Sequence, residues 1–98
     1  MTAQEFASSV DRLLRHVRHW GQARWRPSRA DLVYGLVQRL ADLCADVEQR
    51  PRRRVPLVGD LVLPDQLRVM ADDLLAAAPA DELIQLATND VNAVRHAL

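Results

Sequence analysis

Residues 28–49, SRADLVYGLVQRLADLCADVEQ, decide the fold. Val33, Leu36, Val37, Leu40, Leu43, Cys44 and Val47 recur at spacings of three and four. At about 100° per residue they fall on one face of a helix. Leu32 widens that stripe, while Asp31, Gln38, Asp42 and Asp46 fall opposite. A stripe this wide touches more than one neighbour, so the segment reads as the central helix of a bundle. Ser28 followed three residues later by Asp31 has the form of a capping box, and Pro27 keeps the helix from starting earlier. Gly35 lies on the polar side and reads as a tolerated surface glycine, at a cost of about 1 kcal/mol against Ala; the alternative is close approach of a partner's backbone.

On the N-terminal side, a first helix is predicted from about Thr2 to Trp20. Its face is Phe6, Val10, Leu13, Leu14, Val17 and Trp20. Thr2 with Glu5 resembles a second capping box, and Gly21 suits a left-handed C-terminal cap. The connection GQARWRP, residues 21–27, is short enough to make the first two helices antiparallel. Trp25 within it reads as a plug for one end of the bundle beside Trp20. The sharper alternative is an aromatic flanked by Arg24 and Arg26 that stacks on a base.

On the C-terminal side, Pro51 stops the central helix and Arg52, Arg53 and Arg54 follow. Val55, Leu57, Val58, Leu61, Val62 and Leu63 are too apolar for a free linker, so this stretch should pack on the bundle as an ordered loop with a turn at Gly59-Asp60. A third helix begins near Leu61–Pro64, with Leu63, Leu67, Met70, Ala71, Leu74 and Ala78 on its face and Pro79 ending it. Asp81 and Glu82 open a fourth helix with Ala80, Leu83, Ile84, Ala87, Val91, Val94 and Leu98 inward. Thr88-Asn89-Asp90 is poor helix-forming sequence, able to bend or split that helix. No segment alternates with period two. The expectation is an all-α single domain over residues 1–98: a four-helix up-down bundle with a long ordered apolar loop between helices 2 and 3.

Ninety-eight residues, nearly half of them apolar, suffice for one modest core. There is no lysine, only arginine, which reads as coding bias of a GC-rich bacterial genome. No apolar run is long enough to span a bilayer and no signal peptide is evident, so a cytoplasmic location without a membrane partner is expected. Net charge is zero, yet residues 1–54 hold eleven arginines against six acids, and residues 55–98 hold two against seven. That +5/−5 division between halves is the most informative global feature.

Chemistry-bearing patterns are sparse. His16 and His19 are three apart, but no carboxylate or cysteine near them completes a metal set. Cys44 sits in the apolar stripe, where a thiol behaves as a small inert hydrophobe. Asp72-Asp73 and Asp81-Glu82 are adjacent pairs that diverge on a helix, so they form no acid–base couple. No phosphate-cradling loop is present. The expectation is therefore a non-enzymatic protein with no cofactor, acting as a protein–protein interaction or self-association module, in the simplest case a homodimer. Val69, Leu86, Val58 and Leu61 are apolar positions left over after the core is built, and they are the candidate interface. The alternative is a nucleic-acid-associated regulator that contacts phosphate through Arg52, Arg53 and Arg54.

Overall fold

The computed structural model describes residues 2–98. Four α-helices follow in order: α1 Thr2–Val17, α2 Pro27–Val47, α3 Leu63–Ala76 and α4 Asp81–Ala97, with single 3-10 turns at Gln22–Arg24 and Asp60–Val62. The all-α four-helix bundle read from the periodicity is the fold. Phe6, Leu13 and Leu14 of α1, Leu36 and Leu40 of α2, Leu67 and Leu74 of α3 and Val91 of α4 are fully buried in one contiguous core.

The chain course is set by the long connection rather than by simple alternation. After α2 the chain runs back along it: the Tyr34 hydroxyl donates to Val55 O at 2.6 Å. At the other end of α2, the Cys44 thiol donates to Asp73 O, late in α3, at 3.5 Å. So α3 descends beside α2 in the same direction. A short turn at residues 77–80 then sends α4 up, where Asp90 meets Arg39 at mid-length. The most extensive contacts are α1 with α4 and α2 with α3. We call the end holding Trp20, Trp25, the start of α3 and the end of α4 the upper end.

Several local expectations need correction. α1 stops at Val17, and Gly21 is extended (φ −81°, ψ 177°) rather than left-handed. The Trp20 amide donates to Val17 O at 3.1 Å, and this turn swings the indole onto Trp25, 5.0 Å away edge-to-face. Both indoles are buried, as the plug reading requires. Thr2 lies in the first turn of α1 rather than before it, so it is not the cap of a Thr2–Glu5 box. The Ser28–Asp31 capping box does not form. Arg26 is the extended N-cap, with no side-chain cap bond, and Pro27 takes the first helical turn, where a missing N–H costs nothing. α2 ends at Val47 through a six-residue wrap: Arg50 N donates to Ala45 O (2.9 Å) and Gln49 N to Asp46 O (3.2 Å), with Gln49 at φ 56°. Ala78 likewise has φ 52° and is exposed, so it belongs to the turn after α3 and not to its face. Ala80 is an exposed N-cap rather than an inward residue.

Thr88-Asn89-Asp90 neither bends nor splits α4. The Thr88 hydroxyl donates to Ile84 O at 2.9 Å, the Gln85 amide to Asn89 Oδ1 at 3.1 Å, and Asp90 takes two bonds from Arg39 at 2.6 and 2.8 Å. Each side chain prone to compete with the helix is thereby occupied.

Candidate interaction surface

The long connection is where expectation and structure part most. Only Val55 and Leu63 are buried; Leu57, Val58, Leu61 and Val62 are 74, 60, 55 and 37% exposed. The reason is that the four helices already close the core, so the segment has only the outer sides of α2 and α3 to lie on. It is nonetheless tied down. Gln38 reaches it with both ends of its amide: Nε2 donates to Arg53 O (2.9 Å) and Oε1 accepts from Val55 N (2.8 Å). Gln66 donates to Pro56 O at 2.9 Å from α3. Between these anchors and Leu63, four aliphatic side chains stand in solvent at the upper end. Gly59, at φ 128°, permits the sharp turn that presents them. Asp60, the acid among them, is only partly exposed.

Val58 and Leu61 thus sit together, joined by Leu57 and Val62. Val69, on α3, is half-exposed and points opposite Leu67, Ala71 and Leu74, away from the bundle. Leu86 is elsewhere: it is 63% exposed and lines a groove of about 270 Å³ between α2 and α4, with Leu43, Arg39, Asp42, Arg52 and Asp90. Val69 and Leu86 therefore belong to different faces and do not form one apolar centre. Leu57 and Val62 carry no separate signal in the sequence, since an aperiodic apolar run does not say which side chains turn inward. Leu43, read as an inward position of the central stripe, is only partly buried and lines the groove beside Leu86.

The arginine triplet is likewise divided. Arg52 forms a two-bond pair with Asp46 (3.0 and 2.7 Å), which holds that carboxyl below its usual range. Arg53 and Arg54 line a separate groove with Ala41, Cys44, Met70 and Asp73. Arg24 and Arg29 are at the upper end, 5.6 and 5.3 Å from the Trp20 ring, with no link to the triplet. Arg50 caps the lower end on Glu48 at 2.6 Å and depresses its carboxyl.

The remaining candidates resolve simply. Burial, then the neighbouring Glu48 carboxylate, pushes the Cys44 thiol up. His16 rests edge-on against Trp20, at 5.7 Å. An α1/α4 groove of about 410 Å³ is lined wholly by polar residues, among them Ser9, Arg12 and Asn92. A Cβ at Gly35 would meet only the Arg39 guanidinium, at 3.1 Å, the movable end of a long side chain. Among the described residues no group of three or more His, Cys, Asp or Glu is placed to hold a metal ion, and no helix is long and apolar enough to cross a membrane. No protein-family model, no curated protein and no solved structure matches the chain.

Proposed function

We propose that this protein is a non-enzymatic interaction module that self-associates through the aliphatic loop Leu57–Val62. One observation carries the reading: four aliphatic side chains within six residues are held out in solvent by a segment whose flank is hydrogen-bonded to α2 and α3. Contiguous exposed apolar surface marks a contact site. A loop already tethered loses less conformational freedom on docking than a free one, so more of its apolar burial appears as affinity. Arginine–phosphate contact is the weaker reading, because Arg52 is already engaged by Asp46 and the triplet lies apart from Arg24 and Arg29.

Size exclusion with light scattering tests it. The parent should gain mass as concentration rises, and Leu57→Ser with Leu61→Ser should hold the monomer while keeping the parent's melting temperature. A parent that stays monomeric at every concentration and salt removes self-association. Duplex-DNA binding that weakens steeply with salt, with a shallower slope once Arg52, Arg53 and Arg54 are Gln, would move the function to the phosphate reading.

A further inference from the structure

We infer that this self-association is head to tail: the loop of one copy seats on the α2/α4 groove of the next. The inference rests on the reading of the loop as a contact surface and adds what the loop meets. Three observations point there. First, the fold converts the charge division between halves into a division between ends. At the upper end, Arg18, Arg24, Arg26 and Arg29 have no ion-pair partner among the described residues; Asp31, Asp60 and Asp65 oppose them only in part. At the lower end, Asp81 and Glu82 have no ion-pair partner among the described residues and Arg50 and Arg52 are consumed by Glu48 and Asp46, while Asp73 shares its groove with Arg53 and Arg54 and is opposed by them in part. Second, each end carries its own apolar element: the exposed loop above, and below it the groove lined by the partly buried Leu43 and the exposed Leu86. Third, the groove is bordered by the Arg39–Asp90 and Arg52–Asp46 pairs, each already neutral, leaving Asp42 as the acid on its rim.

A two-fold contact of loop on loop brings two basic ends together, which like-charge repulsion opposes. Seating the loop on the groove places the unpaired arginines of one copy beside the unpaired carboxylates of the next. The two patches differ, so the contact is heterologous, and each copy keeps a free loop and a free groove for further copies. The expected species are open-ended chains rather than a closed dimer.

The test is complementation between two surface variants. Leu57→Ser with Leu61→Ser removes the loop contact, and Leu86→Ser removes the groove contact. All three positions are exposed, so both variants should melt like the parent. Light scattering should show the parent growing past twice the monomer mass with concentration. Each variant alone should stay monomeric. Their equimolar mixture should reach twice the monomer mass and stop, because only one intact loop and one intact groove meet. Raising salt to 1 M, where screening acts within about 3 Å, should return the parent toward the monomer. A parent dimer abolished by the loop variant but untouched by Leu86→Ser overturns the groove as the seat and leaves self-association standing. A mixture that remains monomeric also overturns it. A parent that never associates overturns both readings.

Discussion

Gln49 and Ala78 hold left-handed backbone without being glycine. An L-residue there is disfavoured by roughly 1–2 kcal/mol relative to its right-handed conformation. Both terminate helices, Gln49 within a wrap whose amide bonds close on Ala45 and Asp46. Gln49→Gly should raise the thermal midpoint by a few degrees, since about 1 kcal/mol moves a domain of this size by roughly 4–8 °C; circular dichroism measures it, and an unchanged or lowered midpoint removes the account. Because neither position is Gly, the sequence offers no stop signal at them, which is why Gln49 reads as helical and Ala78 as part of a helix face. Cys44 was legible: its place in the stripe predicts burial, and the structure adds donation to Asp73 O and a raised pKa. Alkylation of the native protein at neutral pH should be slow and should accelerate together with unfolding in denaturant.

At the scale of elements, periodicity makes the four helices legible and leaves the connection between α2 and α3 illegible. A helix repeats its inward positions, so its stripe can be read; a loop has no period, so six apolar residues there gave no way to sort two buried from four exposed. Three side chains tether the loop's flank, Tyr34, Gln38 and Gln66, and Gln38, on the far side of the α2 stripe, makes two of the bonds. Gln38→Ala deletes both of its bonds to the loop, each worth about 1 kcal/mol. Amide exchange across residues 53–58 should quicken well before the helices are affected, and self-association should weaken as the loop loses its fixed shape. Unchanged exchange there would mean that Tyr34 and Gln66 suffice. By contrast, Arg39→Gln should cost under about 1 kcal/mol, because its pair with Asp90 is surface-exposed. The loss should fall in α4 around Thr88–Asp90.

For the whole molecule, the connection's reach decides the chain course. Residues 48–62 span up to about 50 Å when extended, at roughly 3.3 Å each, and the 21 residues of α2 measure about 32 Å. The segment is therefore long enough to return along the helix, and the hydrogen bonds from Gln38 and Tyr34 show that it comes back at least as far as Tyr34. Length alone permits this course without requiring it. The charge division was legible as a property of halves; its conversion into ends depends on that return. The core is less subtle. Leu40 is fully buried, and Leu40→Asp places an unpaired carboxylate there, at a cost of several kcal/mol against a domain stability of about 5–15. The variant should show no cooperative thermal transition. Replacing Arg52, Arg53 and Arg54 by Gln should leave the melt nearly unchanged, since the triplet's ion pair with Asp46 is solvent-exposed.

Trp20 and Trp25 are the chain's two tryptophans, and they meet edge-to-face 5.0 Å apart at the upper end. Tryptophan emission, excited selectively over Tyr34, is therefore a reporter of that end alone, while far-ultraviolet ellipticity averages over all four helices. If the two optical signals trace the same curve during unfolding, the end opens with the body in a single transition. If emission shifts first, the indole clasp frays ahead of the bundle. The same emission also offers a label-free readout of neighbours arriving at the arginine-rich end, with Leu57→Ser and Leu61→Ser as the control that should leave it silent.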